Sequence, residues 1–422
     1  MKTKFKFLLA LFLSIFFINT TIYSYIVLAD STNSVQNSIA NSNNLAISSE
    51  AAILIDANTG KILFDKNANQ KMYPASTTKI LTAIIVLEHC NLTDQVTASY
   101  NAIMSIPAGY SNAAIQENEV LTVQELLEVF LIHSANEAGY ILAEYISGTI
   151  DNFAILMNQK VAELGCTNTH FTNPSGIHDE DHYSTAYDMA LIAKYCMQND
   201  TFRSIVSQTS CTIAATNKYE KRYFTNTNDL IKSSSKYYYE YAIGIKTGFT
   251  TQAKNCLISA SLKDGLELIT VVLGASTLVT GESARYIDTI NLFNYGYSNY
   301  QSKTIIEQNN VIQNITIPNG TSDTKDLPLL IKDTISAIIP NDLDLNSLKY
   351  EINLNEDISA PIAKGSVLGK ISYNIDGIEY YSDLIAEHDV EKSNIITLTI
   401  QIIMATLVLF ILSKFLSKKR NY

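Results

Sequence analysis

The sequence predicts a mixed α/β (α+β) fold with a separate β-rich region towards its C-terminal end. Between residues 46 and 298, strand-like apolar runs occur together with longer segments in which apolar residues recur at helical spacing. After about Asn299 the pattern changes to short alternating segments separated by turn residues, which is typical of a small β domain. The length of 422 residues also favours more than one domain.

The individual elements follow from the same patterns. Residues 51–64 indicate a β-hairpin. Helices are predicted over residues 78–90, 121–145 and 186–197, the first with Pro74 near its first turn and the last after a capping box that starts at Thr185. Strands are predicted over residues 241–245, 255–261, 266–274 and 365–371, with hairpin turns at Asp264-Gly265 and Asp376-Gly377.

Residues 1–29 have the layout of a secretory signal peptide. Three lysines precede an apolar run over residues 7–18, and Val27-Leu28-Ala29 is an acceptable cleavage site. An uncleaved membrane anchor is the alternative. Residues 30–45 are rich in Ser and Asn and are predicted to be a flexible linker before a catalytic domain at residues 46–298.

A second apolar segment, residues 395–412, follows the β-rich domain predicted at 299–392. It carries no charge and is just long enough to span a bilayer, which predicts a transmembrane helix. The basic tail, residues 413–422, would then lie in the cytoplasm. An amphipathic helix lying in the interface is the alternative, because the polar residues cluster in the first half. Either helix would anchor the exported part to the outer face of the cytoplasmic membrane.

The net charge argues against one class of partner. The whole chain carries −11, whereas the signal segment contributes +3, the tail contributes +4 and neither contains an acid, so the remaining body carries −18. No nucleic acid partner is therefore expected. The five cysteines are odd in number and include no C-x-x-C pair, which favours buried free thiols over a disulfide framework in a chain of this length.

Three short segments, far apart in the sequence, together predict one active site: Ser76-Thr77-Thr78-Lys79, Ser134-Ala135-Asn136 and Lys246-Thr247-Gly248. A serine hydroxyl needs a base to become a good nucleophile, and Lys79 lies on the same helix face as Ser76. Lys79 can act as that base only if burial or a second cation, for which Lys246 is the candidate, disfavours its ammonium form. Backbone N–H groups at the helix start would stabilise an oxyanion. Taken alone, the first segment is an ordinary helix start with a surface lysine.

The other two segments each have a functional and a structural interpretation. Ser134 is predicted to relay protons and Asn136 to hold a substrate amide, although both side chains also suit the capping of a helix end. Gly248 lets another backbone approach the strand that carries Lys246 and Thr247, so that a substrate peptide can add to the sheet edge. A glycine required only by a bulge is the alternative.

His178 and His182, with acidic residues between them, suggest a metal site. However, the glutamate does not stand where an H-E-x-x-H site needs it, and Pro174 and Gly176 indicate a loop. The sequence therefore predicts neither a metal site nor a cofactor.

On these residues the chain resembles the D-alanyl-D-alanine carboxypeptidases, the low-molecular-weight penicillin-binding proteins of bacterial envelopes. The resemblance runs from about Ser49 to about Val390. It includes the longer segments at residues 171–178, 182–190, 244–250 and 360–365. The three-segment pattern is shared with class A β-lactamases, with Ala135 in place of the usual aspartate.

The resemblance implies a β-lactamase/transpeptidase-like sheet flanked by helices, a helical subdomain that carries the second segment, and a C-terminal all-β domain. It also implies removal of the terminal D-alanine from peptidoglycan stem peptides through an acyl-enzyme, with β-lactams as covalent inhibitors. Arg285 resembles the family arginine that holds the terminal carboxylate, beside Thr247. The backbone N–H groups of Ser76 and Phe249 would stabilise the oxyanion. An ion pair between Arg285 and Asp288 is the structural alternative.

Two other functions share part of this pattern. A class A β-lactamase needs a glutamate-activated water, and no E-x-x-L-N segment precedes Lys246. A non-enzymatic wall-binding or β-lactam-sensing module would be expected to have lost a catalytic residue, and Ser76, Lys79 and Ser134 are all present. The sequence thus favours a serine-type carboxypeptidase.

Overall fold

The computed structural model of the chain describes residues 45–393 and 395–418. It contains two compact units, which are divided between Gln301 and Ser302. The predicted signal peptide lies outside the described residues, as do all but the last residue of the predicted linker and residues 419–422 of the predicted tail.

The first unit is built on a five-stranded antiparallel sheet with the strand order β2-β1-β9-β8-β7. The strands of this unit, two short pairs included, are β1 Ala51–Asp56, β2 Ile62–Lys66, β3 Gln95–Thr97, β4 Val120–Thr122, β5 Ser210–Ile213, β6 Arg222–Thr225, β7 Ala242–Thr250, β8 Lys254–Lys263 and β9 Leu266–Ala275. Every residue of β1 is buried, as expected for a central strand covered on both faces. The two predicted hairpins of this sheet are confirmed, the second with positive φ at Asp264 and Gly265.

Eight helices of the first unit lie within the described residues and cover the sheet or pack on one another. They are α1 Lys79–His89, α2 Tyr100–Met104, α3 Val123–Glu128, α4 Asn136–Ser147, α5 Ile150–Glu163, α6 Ala186–Met197, α7 Asp200–Val206 and α8 Ala284–Asn299. Helix α8 packs on β8 and β9, α6 packs on β9 and β1, and α1 packs on α4 and α6. The sheet therefore lies between helices, and α1 is a buried central helix.

The single helix predicted over residues 121–145 is wrong. A capping box between Thr122 and Glu125 starts α3. The chain then makes a π-helical turn over Val129–His133 that ends at Ser134, whose φ of 66° is left-handed. A left-handed residue cannot continue a right-handed helix, so α4 starts afresh at Asn136. The prediction that Ser134 lies at a helix break is confirmed.

Other predicted elements differ from the structure mainly at their ends. The strand predicted over residues 241–245 extends as β7 through Lys246-Thr247-Gly248 to Thr250. The helix predicted over 186–197 is confirmed as α6, with the Thr185 hydroxyl capping the N–H of Asp188. Helices α2, α5, α7 and α8 have no counterpart in the sequence prediction.

The second unit contains a five-stranded antiparallel sheet with the order β11-β12-β16-β15-β14 and a separate β10-β13 pair. Its strands are β10 Tyr300–Ile306, β11 Val311–Thr316, β12 Asp326–Ile331, β13 Ile335–Pro340, β14 Tyr350–Leu354, β15 Val367–Ile375 and β16 Ile378–Ala386. It has its own apolar core, which includes Leu329, Ile371 and Leu384. The predicted β-rich region is therefore confirmed.

The chain's last described element is a helix, α9, over Ile395–Lys418. No helix in the described part of the chain is both long and apolar enough to cross a membrane. The structure thus does not support the predicted transmembrane helix over residues 395–412.

All five cysteines are free, four of them buried and Cys90 half-buried, which confirms the prediction of free thiols.

Candidate active site

The first predicted segment forms a tight turn followed by a buried helix. Ser76 lies in a 3₁₀ turn, Ala75–Thr78, that leads directly into α1. The Lys79 side chain is fully buried, and its Nζ lies 3.4 Å from Ser76 Oγ. Nζ also donates to Asn136 Oδ1 at 2.6 Å and to the Ser175 carbonyl at 2.8 Å. The alternative of a surface lysine is therefore wrong.

The environment of Lys79 disfavours its charged form. Burial lowers the pKa of Lys79 well below its usual value, the charge of Lys246 lowers it further, and Glu137 opposes both effects. Burial, together with Arg285, also lowers the pKa of Lys246 to about 7. At neutral pH the two buried amines therefore hold fewer than two full charges. An unprotonated Lys79 amine can accept the proton of Ser76.

The second segment meets the first at Lys79. Asn136 is the first residue of α4, and both its backbone N–H and its Nδ2 donate to the Ser111 carbonyl, at 2.9 and 2.8 Å. Its Oδ1 accepts from Lys79. The side-chain oxygen and nitrogen thus each have one hydrogen-bond partner within the protein, and each can form a further hydrogen bond to a substrate. The cap residue of α4 is Ala135, and Asn136 itself caps nothing. Ser134 is 6% exposed and lines the cleft beside Ser76.

The third segment lies on β7, the edge strand of the sheet. A Cβ on Gly248 would lie 3.0 Å from the Ser76 nitrogen and 3.1 Å from the Pro74 carbonyl oxygen. The backbone that approaches this glycine is therefore the turn carrying Ser76. The pairing of β7 with β8 shifts register only between Ala242 and Gly244, so Gly248 is not in a bulge. The Phe249 side chain is 62% exposed.

These segments line an open cleft of about 550 Å³. Arg285, on the first turn of α8, is its only charged lining residue in the described part of the chain. The guanidinium makes two long contacts, from Nη1 to the Gly248 carbonyl at 3.3 Å and from Nη2 to the Tyr286 hydroxyl at 3.4 Å, and its Nε has no partner. Asp288 instead accepts from Ser48 and Ser49. The alternative of an Arg285–Asp288 pair is therefore wrong.

The structure thus brings the predicted site residues together in two layers. Lys79 and Lys246 lie buried beneath the cleft. The predicted site residues that line it are Ser76, Ser134, Asn136, Thr247, Gly248, Phe249 and Arg285.

A loop that the sequence analysis set aside forms the floor beneath Ser76. The Ser175 carbonyl accepts from Lys79, and the Pro174 carbonyl accepts from Thr82 of α1 at 2.7 Å. Gly176 has a φ of 75°, and a Cβ there would lie 1.8 Å from the Ala75 carbonyl oxygen. Asn173 and its neighbours belong to one of the longer segments of the family resemblance, which is the signal that could have identified this loop.

The two histidines of this loop have structural contacts. His182 Nδ1 accepts from the Thr172 N–H at 3.1 Å, and Nε2 lies 2.9 Å from the Thr78 hydroxyl. Burial lowers the pKa of His182 to about 3, so its ring is neutral at neutral pH. The His178 ring packs edge-on against Tyr73. The described residues include no group of three or more His, Cys, Asp or Glu side chains that could hold a metal ion.

A second loop, whose residues 108–111 line the cleft, is held by the residues that follow Ser134. Asn136 binds the Ser111 carbonyl, and Glu137 Oε1 accepts from the Ala113 N–H at 2.5 Å. Glu137 is 3% exposed, and burial raises its pKa. The sequence analysis missed this role of Glu137, because the spacing along α4 does not show which loop the carboxylate meets.

The amino-acid sequence of this chain matches two protein-family models and is similar to several known proteins. The D-alanyl-D-alanine carboxypeptidase family matches residues 36–277, and the C-terminal domain of penicillin-binding protein 5 matches residues 300–392. The chain is 34% identical to D-alanyl-D-alanine carboxypeptidase DacF of Bacillus subtilis, over 84% of this chain and 88% of DacF. It is 30% identical to D-alanyl-D-alanine carboxypeptidase DacA of Haemophilus influenzae, over 83% of this chain and 87% of DacA.

Solved structures agree with the sequence comparison. The fold is similar to PBP3 of Streptococcus pneumoniae, described as a peptidoglycan synthesis regulatory factor, with a TM-score of 0.72 and 26% identity over 82% of this chain and 100% of that one. It is also similar to penicillin-binding protein 5 of Haemophilus influenzae, with a TM-score of 0.63 and 29% identity over 82% of this chain and 98% of that one. The mixed α/β fold with a C-terminal all-β domain is therefore confirmed.

We predict that Gly176→Ala displaces the Ser76 turn, because the new Cβ would overlap the Ala75 carbonyl. The loss of stability is expected to be about 3 kcal/mol or more, together with at least a hundredfold loss of acylation rate. Gly165→Ala is the matched control, since Gly165 also has positive φ, at 79°, but a Cβ there meets open space. This control costs about 1–2 kcal/mol from backbone strain alone. Thermal unfolding and acylation rates measure both effects. If the two variants lost the same stability and the same acylation rate, the inference that this loop supports the Ser76 turn from beneath would be wrong.

Proposed function

The chain belongs to the D-alanyl-D-alanine carboxypeptidase family, and we propose that it removes the terminal D-alanine from peptidoglycan stem peptides through an acyl-enzyme on Ser76. The family makes it a serine-type hydrolase that acts on peptidoglycan. The observation that supports the finer proposal most is the buried Lys79 amine, which lies 3.4 Å from Ser76 Oγ at the edge of an open cleft. A desolvated amine at this distance can take the hydroxyl proton as the nucleophile attacks.

Acylation uses the two layers of the site. Lys79 accepts the Ser76 proton while Oγ attacks the carbonyl carbon of the penultimate D-alanine, and the negative charge develops on that carbonyl oxygen. The N–H groups of Ser76 and Phe249 stabilise this oxyanion. The intermediate collapses when the peptide C–N bond breaks, and the departing D-alanine amine takes a proton from Lys79 through the Ser134 hydroxyl. This step leaves the shortened peptide as an ester on Ser76.

Deacylation runs the same proton path in reverse. Water attacks the ester carbonyl and gives a proton to the Lys79 amine, and Ser76 Oγ is the leaving group that recovers this proton. β-lactams follow the first half of this sequence, since ring opening of the lactam amide also acylates Ser76. Their ester keeps the leaving amine attached, which hinders the approach of water. We therefore propose that penicillin labels the enzyme covalently.

The cleft offers two hydrogen-bond donors for a free C-terminus, Arg285 and Thr247. A carboxylate is matched best by a planar guanidinium with unoccupied donors. Within the described residues Arg285 makes two long hydrogen bonds and stacks on the Tyr286 ring, which leaves guanidinium donors for a ligand, and the Thr247 hydroxyl lines the same cleft. Asn136 and the edge strand β7 hold the peptide backbone beside Ser76. This division of roles favours cleavage of the last residue of a peptide over internal cleavage.

The substrate also sets the location. Peptidoglycan lies outside the cytoplasmic membrane, so we propose that the catalytic unit is exported. Export by residues 1–29 and attachment through the C-terminal helix remain predictions of the sequence.

Penicillin is expected to form a covalent adduct on Ser76, and Ser76→Ala is expected to abolish both the adduct and the release of D-alanine. Mass spectrometry of the digested adduct and a D-alanine release assay measure the two activities. Ser207→Ala, at an exposed serine outside the cleft, is the control and should behave as the wild type. An adduct mapped to another residue would rule out Ser76 as the nucleophile.

Lys246→Gln is expected to move the acid limb of the pH profile of kcat/KM to higher pH. The positive charge of Lys246 lowers the pKa of Lys79, so its removal lets Lys79 keep its proton to a higher pH. Only unprotonated Lys79 acts as the base. As the pH is lowered, the variant should therefore lose activity at a higher pH than the wild type does, with a shift of roughly one pH unit. Lys254→Gln, at an exposed lysine of β8, is the charge-matched control. A limb that stays in place or moves to lower pH would contradict the coupling of the two amines.

Arg285→Ala is expected to lower kcat/KM for peptides that end in D-Ala-D-Ala by roughly ten- to several-hundredfold. The same peptides with a C-terminal amide should lose much less, because they present no carboxylate to the guanidinium. Arg285→Lys keeps the charge but lacks the planar fork, and should fall between the wild type and Arg285→Ala. Equal losses on the acid and the amide would mean that Arg285 supports the structure and does not recognise the carboxylate.

A further inference from the structure

A second threonine contacts the predicted carboxylate donor Thr247. Thr227 lies just after β6, and its hydroxyl oxygen is 2.6 Å from the hydroxyl oxygen of Thr247. Both side chains line the cleft. The sequence analysis assigned no role to Thr227.

The backbone of Thr227 is fixed on two other sides. Its N–H donates to the Ile132 carbonyl in the π-helical turn before Ser134, at 3.1 Å. Its carbonyl accepts from the Tyr286 hydroxyl at 3.1 Å. Tyr286 is buried and stacks on Tyr237 with ring centroids 4.7 Å apart. Thr227 therefore holds its hydroxyl in a defined position against Thr247.

These contacts join the two carboxylate donors in one network. The Tyr286 hydroxyl that holds Thr227 also accepts from Nη2 of Arg285 at 3.4 Å. The network therefore runs from Thr247 through Thr227 and Tyr286 to Arg285. Tyr286 thus helps to position both donors: the Arg285 guanidinium directly, and the Thr247 hydroxyl through Thr227.

The proton arrangement of the two hydroxyls decides what Thr247 can do. Each hydroxyl has one proton to donate, and only one of the two can donate across the 2.6 Å contact. If Thr247 donated to Thr227, it would have no proton for a substrate. If Thr227 donates to Thr247, the Thr247 proton is free to point into the cleft, and the chain of donors strengthens that second hydrogen bond.

We propose that Thr227 is a positioning residue that directs the Thr247 hydroxyl proton towards the terminal carboxylate of the substrate. The inference rests on the proposed carboxypeptidase function and adds a residue to its recognition of the free C-terminus. Thr227 acts through Thr247 and does not itself touch the substrate.

The matched pair Thr227→Val and Thr227→Ser tests this role. Valine keeps the shape but removes the hydroxyl, whereas serine keeps it. Thr227→Val is expected to lower kcat/KM for a D-Ala-D-Ala peptide about five- to tenfold. Its loss on the same peptide with a C-terminal amide should be several times smaller, and Thr227→Ser should recover most of the activity on the acid. An equal loss on the acid and the amide would overturn the proposal, since it would show a structural role.

A double-mutant cycle with Thr247→Val separates action through Thr247 from direct contact with the substrate. If Thr227 acts only through Thr247, the double variant should be no slower on the acid than Thr247→Val alone, within about twofold. If the two losses multiply, Thr227 binds the substrate independently and the proposal is wrong. Wild-type enzyme that releases no D-alanine would overturn the proposed function and this inference together. Wild-type release with no effect of Thr227→Val would overturn the inference alone.

Discussion

The burial of one amine, that of Lys79, holds the catalytic unit's active site together. A buried ammonium or amine group needs hydrogen-bond partners, and Lys79 finds them on Ser76, Asn136 and Ser175, which lie far apart in the sequence. Each of these partners comes from a different element: the turn before α1, the start of α4 and the loop before α6. The requirement to satisfy Nζ therefore fixes these three elements relative to one another. The same requirement places the Lys79 amine, the proposed base, next to Ser76, the proposed nucleophile.

The basic residues at the site have the opposite sign of charge to the protein as a whole. The body between the signal segment and the tail carries −18, whereas the cleft is lined by Arg285 and has Lys246 and Lys79 beneath it. Burial and the charge of Lys246 lower the pKa of Lys79, which favours the unprotonated amine that the proposed mechanism needs. The charges of Arg285 and Lys246 would also attract the carboxylate of a peptide at short range, where screening by salt is weak. We therefore expect local charge, and not the net charge of the protein, to decide which anion the cleft accepts.

The sequence predicted which residues meet at the cleft better than it predicted what supports them. The three segments identified the residues now found around the cleft, because reaction chemistry restricts residue types and short spacings. The floor loop was predicted only as a loop, since Pro174 and Gly176 signal a turn without showing that it packs beneath Ser76. Thr227 and Glu137 escaped notice for a related reason. Their partners are distant in sequence, and single-sequence periodicity contains no information about such contacts.

The geometry of the cleft also depends on backbone conformations that the core imposes. Ala75, which directly precedes Ser76, and Ser134, which lines the same cleft, have positive φ angles of 48° and 66°. Such conformations cost non-glycine residues about 1–3 kcal/mol each and persist only where the surroundings determine them. Ser134 follows Val129–Ile132, which are all buried, and Ala75 lies against Gly176 and Gly248. The apolar core of the first unit therefore stabilises the two strained turns that place the serine hydroxyls in the cleft. Helix propensity alone would have continued α3 into α4 and removed Ser134 from the site.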